Sequence, residues 1–202
     1  MISNLEQGPL MLQPIFSSFI YSDKLDIDNV ALEKACYQQE QTGPGVFASN
    51  EGGWQSTSNY DDPNTDFKNI IDEISIRCNQ LHTELGFATN KRQKIGNFWI
   101  NINRDKDSNN PHSHPGAFFS GVYYVKANHR AGAITLMHPV STHAYAIPYG
   151  VNSHPTSYNS SNWTEEAEAG KLIIFPPWIV HYVQPNRSDS DRISIAFNSY
   201  MV

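Results

Sequence analysis

The chain is 202 residues long, with 39% hydrophobic and only 17% charged residues and a net charge of −6. That length supports a sizeable core, and abundant Asn, Ser, Tyr, Gly and Pro suit a loop-rich β protein better than a helical bundle or a disordered chain. No Lys/Arg run offers a nucleic-acid groove, and no apolar stretch approaches the ~20 residues of a membrane span.

Met1 to Gln13 lacks the basic flank and unbroken apolar core of a secretory signal. Two helical patterns follow. Val30 to Gln39 starts after a cap at Asp26 or Asp28. The second is stronger, with Phe67, Ile70, Ile71, Ile74, Cys78, Leu81 and Leu85 at three- and four-residue intervals. Asp62-Pro63 and Gly86 are its start and stop signals. The stripe reads as the face of a helix packed on a sheet. Cys36 and Cys78 fall in the two helices and read as buried thiols, which fits a reducing cytoplasm. His82, on the second helix, reads as a surface or packing residue.

The chain changes character near residue 90. Ile95 to Asn103, Phe118 to Lys126, Ala133 to His138, Lys171 to Phe175, Val180 to Gln184 and Arg192 to Tyr200 all read as strands, rich in β-branched and aromatic residues and separated by turn formers. Between His138 and Gly170 lies a long stretch with Pro148, Gly150, Pro155, Tyr145, Tyr149, Tyr158 and Trp163. It reads either as a lid over a pocket or as a surface excursion with its own aromatic cluster. Helices followed by six to eight short strands indicate one domain over 1–202, mainly β: a helical supporting region over 1–90 and a barrel or sandwich core over 93–202.

Of the eight histidines, three have informative contexts. His112 and His114 stand at i and i+2 on an extended segment, so their imidazoles point the same way. Pro111 and Pro115 bracket them and Gly116 precedes the next strand, which puts both at a strand mouth. His181 follows Gly170, an apolar strand and the Pro176-Pro177 corner. Three such ligands close one face of an octahedron and leave the other open, as a mononuclear iron site requires. His129, in a predicted turn, and His138, His143 and His154, in the long stretch, lack comparable spacing. Arg192 and Ser194 share one strand face and offer a guanidinium and a hydroxyl to one carboxylate. The plainer reading of Arg192 is an ion pair with Asp189 or Asp191.

With these residues in place, the sequence resembles the Fe(II)/2-oxoglutarate-dependent oxygenases of the prolyl-hydroxylase-like branch, and in particular a small group carrying H-x-H-P. The resemblance covers roughly residues 93–202, with an echo at Gly53-Trp54-Gln55-Ser56. It rests on His112-Ser-His114-Pro followed by Ser120-Gly-Val-Tyr-Tyr124-Val, on Gly170 to Phe175, on His181 and on Arg192-Ile-Ser194. It implies a double-stranded β-helix, a jelly-roll or cupin-like barrel with supporting helices. It also implies Fe(II), 2-oxoglutarate and molecular oxygen as cofactor and co-substrates, and hydroxylation of an unactivated C–H bond of a protein side chain or small metabolite. His112 and His181 become iron ligands, and Arg192 binds the distal carboxylate of 2-oxoglutarate with help from Ser194 and Tyr124. Asn101, Asn103 and Trp178 are candidates to line the substrate pocket. The family expects Asp or Glu where this chain has His114, and imidazole is also a good iron ligand, so His114 is expected to ligate. Two other readings use the same residues: a three-histidine cupin-type dioxygenase that works without 2-oxoglutarate, and a non-catalytic cupin-like binding module.

Overall fold

The computed structural model describes residues 12–58, 65–140 and 154–202. In chain order its elements are β1 (Tyr21–Lys24), α1 (Asn29–Glu40), β2 (Asn50–Glu51), β3 (Trp54–Gln55), α2 (Thr65–Glu84), β4 (Gln93–Asn103), β5 (Ser108–His112), β6 (Phe119–Lys126), β7 (Ile134–Met137), β8 (Asn162–Glu165), β9 (Lys171–Phe175), β10 (His181–Val183) and β11 (Arg192–Met201). They form two antiparallel sheets, a six-stranded one in the order β1-β9-β6-β11-β4-β3 and a five-stranded one in the order β2-β5-β10-β7-β8. This is the mainly β, double-stranded β-helix architecture with helices packed outside.

The larger sheet is buried on both faces, and alternation sorts its residues. Ile193, Ile195 and Phe197 of β11 join Phe98, Ile100 and Ile102 of β4 in the core shared with the two helices. Val122, Tyr124 and Ile173 belong instead to a second core between the sheets, with Ile134 and Leu136 of β7. Period-two geometry therefore aims Arg192, Ser194, Ala196 and Asn198 at the inner face.

The helices form where their caps and stripes place them. The Asp28 side chain accepts hydrogen bonds from the backbone N–H groups of Val30 and Ala31 at the start of α1. Asp28→Ala leaves those donors to water and is expected to cost about 1 kcal/mol, a fall of roughly 2–4 °C in melting temperature for a chain of this size. On α2, Phe67, Ile70, Ile71, Ile74 and Cys78 are buried against the sheet. The helix stops at Gly86, which has φ +77, and Phe87 N–H returns to His82 C=O, a left-handed glycine termination. His82 is a packing residue, buried between Phe87 and Phe118 and paired with Gln93. Cys36 and Cys78 are buried free thiols, and burial pushes both up to about 12.

The first ninety residues also contribute β1, β2 and β3, and the long stretch after His138 contributes β8. None of these has a strong strand signature of its own; each is an edge segment recruited by a neighbour. Trp163 lies in β8 and Tyr158 before it, both exposed. Asp62-Pro63, His143, Tyr145 and Tyr149 lie outside the described residues. No described helix is long and apolar enough to cross a membrane.

Candidate metal centre

His112 ends β5 and His181 opens β10, and the two are register partners across the smaller sheet. His114 lies just past β5, where its backbone N–H donates to Pro177 C=O, 2.9 Å away. The Pro176-Pro177 corner thus ties the segment carrying His114 to the one delivering His181. One nitrogen from each of the three rings lies within 4.8 Å of the others, a spacing that one ion can bridge.

Two rings are aimed by hydrogen bonds to the backbone. His112 Nδ1 lies 2.7 Å from Asn110 C=O and His181 Nδ1 lies 3.0 Å from Ile179 C=O. A carbonyl only accepts, so each Nδ1 carries the proton and Nε2 is left with a free lone pair. Such outer partners fix the tautomer of ligating histidines. Burial, with the nearby His112 ring, pushes His181 down to about 3 and His114 down to about 4. Burial also lowers His112, against the opposing effect of its bond to Asn110. All three rings are therefore neutral at physiological pH, the form in which imidazole binds a metal.

Beyond the histidines, a cavity between the sheets is lined by Trp99, Asn101, Asn109, Tyr124, Arg192, Ser194 and Ala196. Ser194 pairs with Asn101 on one side and Tyr124 on the other, and Asn101 pairs with Gln55 of β3. These four make one polar row across the inner face, with Arg192 two residues along β11. Arg192 is 1% exposed, and its Nη1 donates to the carbonyls of Gln184 and Ala131 at 3.0 and 2.5 Å. Among the described residues no carboxylate forms an ion pair with it, which excludes the plainer sequence reading. Asp191 instead accepts from Tyr37. Burial lowers the Arg192 pKa and pushes Tyr124 up to about 12 against the pull of Arg192, so Tyr124 stays a neutral hydroxyl beside a cation.

Arg192 Nη2, Tyr124 Oη, Asn101 Oδ1 and Gln55 Oε1 are all buried with no hydrogen-bond partner. Orphaned groups are costly singly and rare in clusters. One guanidinium nitrogen and one hydroxyl facing one cavity provide the donors a carboxylate accepts from. Three converging imidazoles, two of them held in the same tautomer, and orphaned donors for a carboxylate beside them fit a divalent metal and a 2-oxo acid.

Ser194, Tyr124 and Asn101 line this cavity with Arg192 and the three histidines. Asn103 pairs with Arg192 on the adjacent strand and is buried, its Oδ1 also orphaned, but it does not line the cavity. Trp178 is 54% exposed and stands outside the lining, beside the Pro177 carbonyl that holds His114. Trp99 was not singled out by sequence, although it lies one strand period before Asn101. It lines the cavity with its ring centroid 5.6 Å from that of His114. The carbonyl cradle of Arg192 had no sequence signal, because it is made of backbone. Gly132 in that cradle has φ +89, and an added Cβ would meet Gln184 O at 2.3 Å and Arg192 Nη1 at 2.6 Å. Gly132→Ala is thus expected to displace the guanidinium and cost about 1–3 kcal/mol, as overpacking does, readable in the chemical denaturation midpoint.

A family model described as "Putative 2OG-Fe(II) oxygenase" matches residues 97–198. No curated protein sequence matches the chain. Among solved structures, the chain is similar to a prolyl-4-hydroxylase from Pseudomonas putida (13% identity, 89% of this chain and 91% of that one covered, TM-score 0.58). It is similar to a prolyl hydroxylase from Trichoplax adhaerens solved with a hypoxia inducible factor peptide fragment (13%, 91% and 83%, TM-score 0.60). It also resembles HygX from Streptomyces hygroscopicus, solved with nickel and 2-oxoglutarate (9%, 91% and 83%, TM-score 0.52). At these identities the likeness is one of fold.

Proposed function

The chain belongs to the 2OG-Fe(II) oxygenase family, the match spanning half its length, and we propose that His112, His114 and His181 hold its iron while Arg192, Ser194 and Tyr124 receive the distal carboxylate of 2-oxoglutarate. The observation that carries this assignment is the buried Arg192 with an unpartnered Nη2, set in the same cavity as three converging imidazoles.

When bound, iron with 2-oxoglutarate and molecular oxygen supplies the oxidising power for the reaction, 2-oxoglutarate leaving as succinate and carbon dioxide. The chain's own contribution is placement. Arg192 is gripped from behind by three carbonyls, those of Ala131, Gly132 and Gln184, so its free edge is fixed before any ligand arrives and little rotamer entropy is lost on binding. Ser194 and Tyr124 add hydroxyl donors from adjacent strands. The low-dielectric cavity strengthens all three contacts. His112 and His181 are fixed by their backbone acceptors, His114 by the Pro177 carbonyl on its own N–H. All three ligands are neutral, so the metal's charge is compensated by the co-substrate and not by the protein. Trp99 and Ala196 line the cavity beside His114, where the small Ala196 side chain would leave room for a substrate and the Trp99 ring would pack against it. The proposed reaction is hydroxylation of an unactivated C–H bond in a protein side chain or a small metabolite.

The test is anaerobic titration of the Fe(II)-loaded protein with 2-oxoglutarate, following the visible absorption that chelation to iron produces. A saturable band is expected. Bound iron with no band at millimolar 2-oxoglutarate would favour the dioxygenase that takes substrate directly.

A further inference from the structure

The polar row that would face 2-oxoglutarate has a counterpart further along the same sheet face, beyond Trp99 and Ala196. Along the inner face of the larger sheet, Asn97 of β4 pairs with Asn198 of β11, Asn198 with Ser120 of β6, and Ser120 with Phe175 of β9. Phe175 packs on the His181 ring with centroids 4.6 Å apart, so the row meets the metal centre at its Phe175 end, with Asn198 two strands and Asn97 three strands away. It lies two residues along the strands from Trp99 and Ala196, about 7 Å away, and on the side opposite Arg192.

The row's internal bonding uses only the Ser120 hydroxyl and the Asn198 amide oxygen, leaving the Asn198 amide nitrogen and both ends of the Asn97 side chain over. Ser120 Oγ donates to Asn198 Oδ1 at 2.6 Å, which turns the Asn198 amide nitrogen away from that contact. Asn97 Oδ1 is buried and has no partner. Exposure rises along the row from 1% at Ser120 through 6% at Asn198 to 9% at Asn97, all three buried and just beyond the Trp99 and Ala196 lining of the cavity. No element of the row carries charge, and the next row inward is Trp99, Ala196, Val122 and Ile173. A charged substrate group has nothing to meet there. An acceptor and a donor on adjacent strands, in apolar surroundings, match the N–H and C=O of an amide. A reversed Asn97 side chain would still offer one group of each kind beside Asn198.

We propose that Asn97 and Asn198 form the primary-substrate subsite and bind a carboxamide, which puts the C–H bond beside it in front of the metal. This rests on the metal and 2-oxoglutarate assignment above. The amide can come from a peptide backbone or from a side-chain or small-molecule carboxamide, and the chemistry recognised is the same.

The test uses the full-length protein loaded with Zn(II) and 2-oxoglutarate and ligand-observed saturation-transfer NMR. The probes are N-acetylglycine N-methylamide for the backbone source, propionamide for the primary carboxamide, and methyl propionate as the ester lacking a donor. At least one amide is expected to bind, and methyl propionate to bind about three- to tenfold more weakly, the usual range for one neutral hydrogen bond. Asn97→Leu removes the acceptor, and Asn198→Asp removes the donor while keeping an acceptor for Ser120. Asn97→Leu is expected to weaken the amide by a similar factor and leave the ester unchanged, whereas Asn198→Asp, whose lost donor serves the carbonyl of both probes, is expected to weaken amide and ester alike. Preference for one amide probe identifies the source. Equal binding of amide and ester, unchanged binding in both variants, or no amide binding to the loaded protein overturns the proposal. Uptake of 2-oxoglutarate in the same samples, measured by displacement of its free NMR signal, reports separately on the underlying assignment.

Discussion

Arg192→Met is expected to remove 2-oxoglutarate binding while leaving the ligand-free protein as stable as wild type, or more so. In the free protein the guanidinium is buried, Nη2 has no partner, and its hydrogen bonds go to carbonyl oxygens, with Asp107 and Tyr124 acting on it only through space. Removing a buried charge that has no ion-pair partner relieves its desolvation cost, which offsets the donor lost to the three carbonyls, and an apolar side chain of similar length fills the space. A carboxylate reverses that balance, since truncating one partner of a buried charge pair costs about 2–5 kcal/mol, a loss on the order of thirtyfold to several thousandfold in affinity. Linkage makes the prediction readable in a melt. At a hundred times its Kd, 2-oxoglutarate should stabilise the metal-loaded wild type by about 2.7 kcal/mol, a rise of roughly 5–10 °C. Arg192→Met should show no such rise. Arg192→Lys, which keeps the charge without the fork, should fall between. A ligand-induced rise that survives in Arg192→Met would remove the carboxylate assignment.

Much of this arrangement was legible because the strongest elements carry their own signals. The α2 stripe from Phe67 to Cys78, the Gly86 stop and the alternating β4, β6 and β11 follow from local chemistry, and all appear in the fold. The strand β5, Ser108-Asn-Asn-Pro-His112, has no β-branched or aromatic residue. It is extended because β10 and β2 pair with it, and tertiary context overrides propensity there. Edge strands β1 and β8 were hidden for the same reason. The three histidines and Arg192 could be nominated from spacing, since i, i+2 geometry is local. Which side chains share a row could not be read, because register between strands distant in sequence is set by the whole sheet. Gln55, Trp99 and the Asn97–Asn198 pair became visible only through that register. The Gly132 cradle offers the sequence only a glycine.

His114→Ala is expected to lower Fe(II) affinity by at least about tenfold, and His114→Asp to preserve metal binding. The case for His114 as a ligand is geometric: its ring lies 5.0 Å from that of His112 and 5.1 Å from that of His181. The Pro177 carbonyl holds its backbone. Loss of an outer partner of a metal ligand typically costs 10–100-fold in metal affinity, so loss of a ligand itself should cost no less. If His114 were a bystander, its truncation would only open space beside Trp99 and the metal affinity would not move. His114→Asp separates ligation from packing, because a carboxylate at this position can bind iron through oxygen and brings one negative charge. That charge raises the energy of the metal electrons, so the visible band formed with 2-oxoglutarate should shift to longer wavelength relative to wild type. Metal content after dialysis and the band maximum, measured on wild type and both variants, decide it. A full metal complement in His114→Ala with an unshifted band in His114→Asp would reduce the site to His112 and His181. Lost metal in the first and a red-shifted band in the second would establish an iron centre held by three neutral rings.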